Sequence, residues 1–443
     1  MGIAREIALQ VLLRTAQGKG QPGLLLSAEF TKHAPEESVV DRSFAQELVL
    51  GTLRFRNALD WAISRHCRHS LPTLPSAILQ ILRLGAYQIL YLDRVPDSAS
   101  VFSSVELTKK YGHPGTVKLV NAVLQSLVRG RDRIPWPDQS DMLHHLVIVQ
   151  SHPEWLVRRW LDRFGPEEAL ALCRWNNRVP IFSLRVNTLK CPVTEYERLL
   201  SEKGITCHRS EVCLEGIVLD KAAKVESLPG YEEGLFVVQS EGAMLVSRIL
   251  DPCPGEKILD FCSAPGGKTS HMAQLMGDRG EITAHDVSSM RLRLVKDAVR
   301  RLGVRSVKIC ETQASLEPFY DRVLVDAPCS ATGILQRRPD AKWSKRPEVL
   351  AENGRLEREI LEKGASLLRV GGVMVYSTCS TEPEENELVM DSFCEAHPEF
   401  VPDSFEAALP ASLREKGGVS GVLQILPQRD SLDGFFVAKM RKV

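Results

Sequence analysis

KILDFCSAPGGKT, Lys257 to Thr269, is the stretch whose reading decides the fold. A short apolar run closes on Asp260, a loop with the Gly266–Gly267 pair follows, and a helical pattern begins at Lys268. That is strand, tight loop, helix, with glycine where backbone must approach a ligand. Reading outward, the alternation continues. EITAHD precedes a helix over 288–302, SVKIC follows, and DRVLVD precedes a long helix ending near Arg369. VMVYS then precedes a helix from Glu384, and VLQIL and GFFVAKM close the chain. Continuous apolar strands alternating with helices predict a Rossmann-like α/β domain over 239–443, a parallel sheet covered on both faces with a late antiparallel hairpin. Ligands of such sheets sit at the carboxyl ends of the strands.

The remainder reads differently. Residues 1 to about 135 predict an all-α bundle, with Ile3, Ile7 and Val11, and Ile78, Leu82, Gly85 and Ile89, at helical spacing. RGRDRIPWPDQS, from Arg129, is rich in Pro and charge and makes a linker. Beyond it SHPEWLVRRWLDRFG predicts an amphipathic helix carrying Trp155, Trp160 and Phe164, and FSLRVNT begins a strand. A helix over 194–203 and strands around Ile217 and Phe236 complete a small α/β module. The predicted divisions are 1–138, 139–238 and 239–443, as the 443-residue length suggests more than one core.

Charge is balanced, with 56 Lys and Arg against 56 Asp and Glu. Its distribution is uneven: residues 1–150 hold 17 basic against 13 acidic residues, leaving 39 against 43, so the N-terminal part is the one suited to a polyanion. The 11 cysteines include no C-x-x-C pair, which argues against zinc and against a disulfide framework, so no metal is expected and a reducing cytoplasm fits. No run approaches the ~18 apolar residues of a membrane span.

Two further corners end strands on the ligand edge: DRVLVDAPCSATG with Cys329 and GGVMVYSTCSTEPEEN with Cys379. Buried packing is the plain reading of a lone cysteine. Two at neighbouring active-edge corners point to thiol chemistry, since the thiolate is a strong nucleophile. Asp326 closes DRVLVD and could bind a substrate or anchor its loop; Lys268 suits a carboxylate partner. Asp286 closes the second strand 26 positions after Asp260, where an acid meets ribose hydroxyls in dinucleotide folds, although it could equally cap a helix. GGKTS ends like a P-loop, but Cys262 holds the place of that motif's first Gly. Thr381-Glu382-Pro383-Glu384 reads as a capping box, which assigns Glu384 and Glu385 to a helix start. QRRPDAKW, from Gln336, reads as an exposed basic loop able to meet RNA phosphate.

Together the three corners resemble the Nop/Sun family of RNA cytosine carbon-5 methyltransferases, which use S-adenosylmethionine (SAM). LRLGAYQILYLDRVPDSASVFSSVELTKKYG with VKLVNAVLQSLVR is similar to the RNA-binding NusB domain, and the middle segment resembles the family's ferredoxin-like module. The likeness spans nearly the whole chain and is greatest to the bacterial Sun (Fmu) branch, whose substrate is small-subunit 16S ribosomal RNA. It implies that Cys379 attacks the base, Cys329 assists product release, and Asp326 and Lys268 lie near the base. It implies a SAM loop of Cys262, Ser263, Ala264, Pro265, Gly266, Gly267 and Lys268, with Asp286 on the ribose, Glu311 near adenine and Asp326 beside the cofactor. Sequence logic alone leaves the two thiol roles open, because DNA cytosine methyltransferases attack with a Pro-Cys like Pro328-Cys329. Glu311 and Ser240 depart from the family pattern, which has Asp at both places. Transfer RNA or 23S ribosomal RNA as substrate, and a non-catalytic RNA-binding adaptor that retains SAM, stand as alternatives.

Overall fold

The computed structural model describes residues 2–33, 39–221 and 224–443. The chain forms two compact units, Met1–Arg178 with Leu335–Lys345, and Val179–Ile334 with Arg346–Val443.

The first unit is helical. Helices Ile3–Ala16, Pro22–His33, Val39–Arg54, Arg56–Ser64, Ser76–Tyr91, Asp97–Tyr111 and Pro114–Gly130 enclose one core in which Ile7, Val11, Ile78, Leu82 and Ile89 are buried. The periodicity read from the sequence is thus the inward face of the bundle. The helix Glu154–Asn177 bends where Gly165 takes a φ of 77° ahead of Pro166, and packs Leu156, Trp160 and Leu172 into a second cluster. The middle segment of the sequence reading, 139–238, is therefore divided between the two units.

QRRPDAKW departs from its reading as an exposed loop. Gln336, Asp340, Ala341 and Lys342 are buried, and the segment joins the helical unit. Lys342 Nζ donates to Asn177 Oδ1 at 2.8 Å and to the carbonyls of Arg54 and Ser151 at 3.3 Å. Trp343 Nε1 donates to the Leu53 carbonyl at 2.6 Å, and the Arg54 guanidinium donates to the Gln336 carbonyl at 3.1 Å.

The second unit holds two sheets. Strands β1 (Phe182–Val186), β2 (Cys207–Arg209), β3 (Gly216–Leu219) and β4 (Phe236–Val238) form an antiparallel sheet in the order β2-β3-β1-β4. Strands β5 (Lys257–Asp260), β6 (Glu281–His285), β7 (Val307–Cys310), β8 (Tyr320–Asp326), β9 (Leu368–Thr378), β10 (Phe400–Pro402), β11 (Val422–Ile425) and β12 (Phe435–Lys442) form the large one. Its order is β10-β12-β9-β8-β5-β6-β7, with β11 paired to β12. β5 to β9 are mutually parallel, whereas β12 runs antiparallel to β9 and pairs β11 as the expected terminal hairpin. Val323, Leu324 and Val325 on β8 and Met374, Val375 and Tyr376 on β9 are all buried, as strands covered on both faces require. Because β5 lies between β6 and β8, the strand order reverses there, which makes the carboxyl ends of β5 and β8 the place where sheets of this kind bind ligands.

Candidate active site

Asp326 and Ser377 are register partners at the ends of β8 and β9, so the loops that follow leave the sheet side by side. These loops carry the two thiols, and Cys329 Sγ lies 3.2 Å from Cys379 Sγ. The backbone joins the same loops where the Gly333 amide donates to the Cys379 carbonyl at 3.0 Å. Gly333 is needed here: a Cβ on it would stand 2.5 Å from the Gly434 carbonyl oxygen at the entry to β12. The Cys329 thiol is held well above its ordinary pKa by the hydrogen bond to Cys379, then by burial and the nearby carboxyls of Glu385 and Glu357.

Beside the thiols, Lys268 Nζ donates to Asp326 Oδ2 at 2.6 Å, and Ser377 Oγ donates to Asp326 Oδ1 at 2.8 Å. The carboxylate is thus fixed from two sides by groups that come from the helix Gly267–Leu275 and from β9. Lys268 also stands 5.4 Å from the Phe435 ring centroid, a cation–π separation.

The loop after β5 runs along the neighbouring edge. Cys262 and Ser263 lead to a cis Ala264–Pro265 bond, and Gly266 has a φ of 100°. A Cβ on Gly266 would stand 3.1 Å from Val295 Cα, so the turn packs directly on the helix Ser289–Leu302. Asp260 is buried and its Oδ2 accepts from Thr269 Oγ1 at 2.6 Å. Burial pushes its carboxyl up to about 7, against the pull of that bond, with Asp326 adding to the rise. Burial likewise raises the Cys262 thiol. Asp286 is buried just beyond β6. Its Oδ1 accepts from the Ser288 amide at 3.0 Å, its Oδ2 accepts from the Ala264 amide at 3.4 Å, and Arg291 lies 3.4 Å away. The helix cap is Ser288, whose hydroxyl accepts from the Arg291 amide. Glu311 follows β7 directly and is exposed. The carboxyl edge of the sheet thus gathers Asp260, the 262–268 loop, Asp286 and Asp326, with Glu311 at the next strand end.

Two parts of the site escaped the sequence reading. Arg185 of β1 is buried and reaches the loop: its Nη1 donates to Gln239 Oε1 at 2.5 Å and to the Gly267 carbonyl at 2.7 Å, and its Nη2 to Ser270 Oγ at 2.8 Å. A single arginine inside the apolar run FSLRV was the available signal. The other is Glu385, which caps nothing. The helix Glu387–Ala396 starts from Asn386, and no side-chain cap bond is made there. Glu385 instead accepts from Ser330 and Ser380, the residues that follow the two cysteines.

Residues 247–441 match the family model described as 16S rRNA methyltransferase RsmB/F, residues 3–129 match the NusB family, and residues 152–226 match an RsmF/B-like ferredoxin-like domain. A probable ribosomal RNA small subunit methyltransferase B of Bacillus subtilis (strain 168) is 36% identical, covering 99% of this chain and 98% of its own length. Ribosomal RNA small subunit methyltransferase B of Pseudomonas putida is 33% identical with 99% and 98% coverage. Among solved structures, that of PH0851 superposes with a TM-score of 0.83 at 28% identity, covering 98% of both chains. NSun6 from Pyrococcus horikoshii with SFG gives 0.59 at 25% identity over 67% of this chain and 100% of that one.

The cofactor is S-adenosylmethionine. The residues present fit it. Asp260 Oδ1 and Ser263 Oγ are buried beside the loop without a hydrogen-bond partner, and the helix Gly267–Leu275 starts with no side-chain cap. Unmet polar atoms and helix amides beside a line of carboxylates suit a ligand bearing an amino acid group and a ribose.

Proposed function

We propose a reaction for this chain from one premise: it belongs to the 16S rRNA methyltransferase RsmB/F family. The reaction is methylation of carbon 5 of a cytosine in 16S ribosomal RNA through a covalent cysteine–cytosine intermediate. One observation carries it: two thiols in contact, 3.2 Å apart, on adjacent strand ends beside the Lys268–Asp326 pair.

Cytosine carbon 5 is a poor nucleophile until a group adds at carbon 6 and leaves an enamine. Cys379 supplies that group as a thiolate. Cys379 takes the attacking role because the family resemblance gives it to the Thr-Cys corner, and Cys329 lies 3.2 Å from it as the second thiol. SAM supplies an electrophilic methyl group to carbon 5. Transfer of the carbon-5 proton to water and cleavage of the bond from Cys379 sulfur to carbon 6 then restore the aromatic ring, and Cys329, 3.2 Å away, assists by giving its thiol proton to the departing Cys379 thiolate before solvent restores it. Asp326, oriented by Lys268 and Ser377, accepts from the exocyclic amino group of the base. Of the chain's own residues, Asp286 would hold the ribose hydroxyls, the backbone of Cys262 to Gly267 the methionine part, and Glu311 the adenine. The NusB-like helices dock the RNA.

The test is methyl transfer from labelled SAM to protein-free 16S RNA, 23S RNA and transfer RNA, with bisulfite sequencing of the products. The reading expects one 5-methylcytosine in 16S RNA. Methylation at another atom, or in another RNA only, contradicts it.

A further inference from the structure

The mechanism depends on the separation of two sulfurs that lie 50 residues apart in the chain. One side chain bonds to both of their loops. Glu385 Oε1 accepts from the Ser330 amide at 2.7 Å and from Asn353 Nδ2 at 2.6 Å. Its Oε2 accepts from Ser330 Oγ at 2.5 Å and from Ser380 Oγ. Ser330 follows Cys329 and Ser380 follows Cys379, and both serines and Glu385 are fully buried. Glu385 is itself fixed, because Tyr376 of β9 donates its hydroxyl to the Glu385 carbonyl at 2.6 Å. Four donors converge on one carboxyl group, and three of them belong to the residues next to the thiols. Such a group restrains loop positions more tightly than packing alone, since hydrogen bonds are short and directional.

We infer that Glu385 is a positioning residue that sets the contact between Cys329 and Cys379. This rests on the two-thiol reaction proposed above, but its test need not. A trivalent phenylarsenical bridges two thiols only when they are in contact, and the bridged pair is read by mass spectrometry of the full-length protein and its peptides, without RNA or SAM. Wild type should form the Cys329–Cys379 bridge. Glu385→Ala should form it about tenfold more slowly or worse, as a displaced reacting pair does. Glu385→Gln should bridge within about threefold of wild type, because the amide oxygen keeps two donors and its NH2 can donate to the serine hydroxyls. In methyl transfer, Glu385→Ala should lower kcat by about tenfold or more with KM for SAM within about twofold, and Glu385→Gln should restore kcat.

Bridging of Glu385→Ala at the wild-type rate overturns the inference. Should that variant fail to fold, Ser330→Ala combined with Ser380→Ala, which deletes the two hydroxyl donors, is held to the same two outcomes. Normal bridging together with product that lacks 5-methylcytosine would instead defeat the proposed reaction and leave the positioning role standing.

Discussion

Beside the thiols the second unit buries two carboxyls, and their cost is measurable. Glu357 on the helix Glu348–Leu367 is wholly buried, and burial first, then Glu385, pushes its pKa from 4.5 up to about 10. The folded state therefore keeps a proton that the unfolded chain has lost. Its contribution to stability is complete below pH 4.5 and is lost progressively as pH rises toward 10. Within that window the loss is about 1.4 kcal/mol per pH unit. Glu357→Gln cannot ionise, so urea titrations at about pH 6 and about pH 8 should show the variant gaining on wild type by about 1.4 kcal/mol for each unit. Parallel stabilities at both values would refute the burial of an acid at this place. Residues of this kind are the least legible in sequence. TEPEEN satisfies a local capping pattern, whereas the partner that gives Glu385 its place, Ser330, stands 55 positions upstream. Cys329, Cys379, Asp326 and Lys268 stand out in the sequence because each lies at or just beyond the end of an element whose period is visible. Their mutual contacts do not, because spacing along the chain carries no distance between strands.

At the scale of elements, the strands and helices of the large sheet follow their apolar runs closely, since a strand buried on both faces must be apolar throughout. The short β2 and β10, three residues each, carry no such run and were not read. The segment Leu335–Lys345 is the plainest failure of local reading. Its composition is polar, and its burial comes from partners distant in sequence: Leu53, Arg54, Ser151 and Asn177 by hydrogen bonds, and Leu146, Leu156 and Trp160 by apolar packing. Lys342 is the pin: burial lowers its pKa well below the usual lysine range, and its three acceptors are all neutral. Lys342→Ala would leave two carbonyls and an amide oxygen without their donor and open a cavity, a loss of about 2–4 kcal/mol. Chemical denaturation should show a lower midpoint for the helical unit, with protease cleavage appearing between residues 335 and 345. An unchanged midpoint and cleavage pattern would mean that the segment is not part of that unit.

In the whole molecule, this insertion means that the helical unit includes a piece of the methyltransferase sequence, so cutting the chain after residue 138 would not remove one unit cleanly. Local composition does not show this, because a boundary is legible in sequence as a linker and 335–345 has none on either side. The sequence does identify the bundle, the ferredoxin-like sheet and the α/β sheet, whose hydrophobic periods differ. Among the described residues no helix is long and apolar enough to cross a membrane. The two sulfurs divide the labour of attack and release, and a denaturing gel separates their roles. The full-length protein, as Cys379→Ala and as Cys329→Ala, is incubated with 16S RNA and SAM, and protein–RNA species that survive denaturation are counted. Cys379→Ala should give neither adduct nor product, because nothing adds at carbon 6. Cys329→Ala should attack and methylate, then remain joined to the RNA for want of assisted release. A stable adduct in Cys379→Ala, with none in Cys329→Ala, would place the nucleophile on Cys329 and contradict the account.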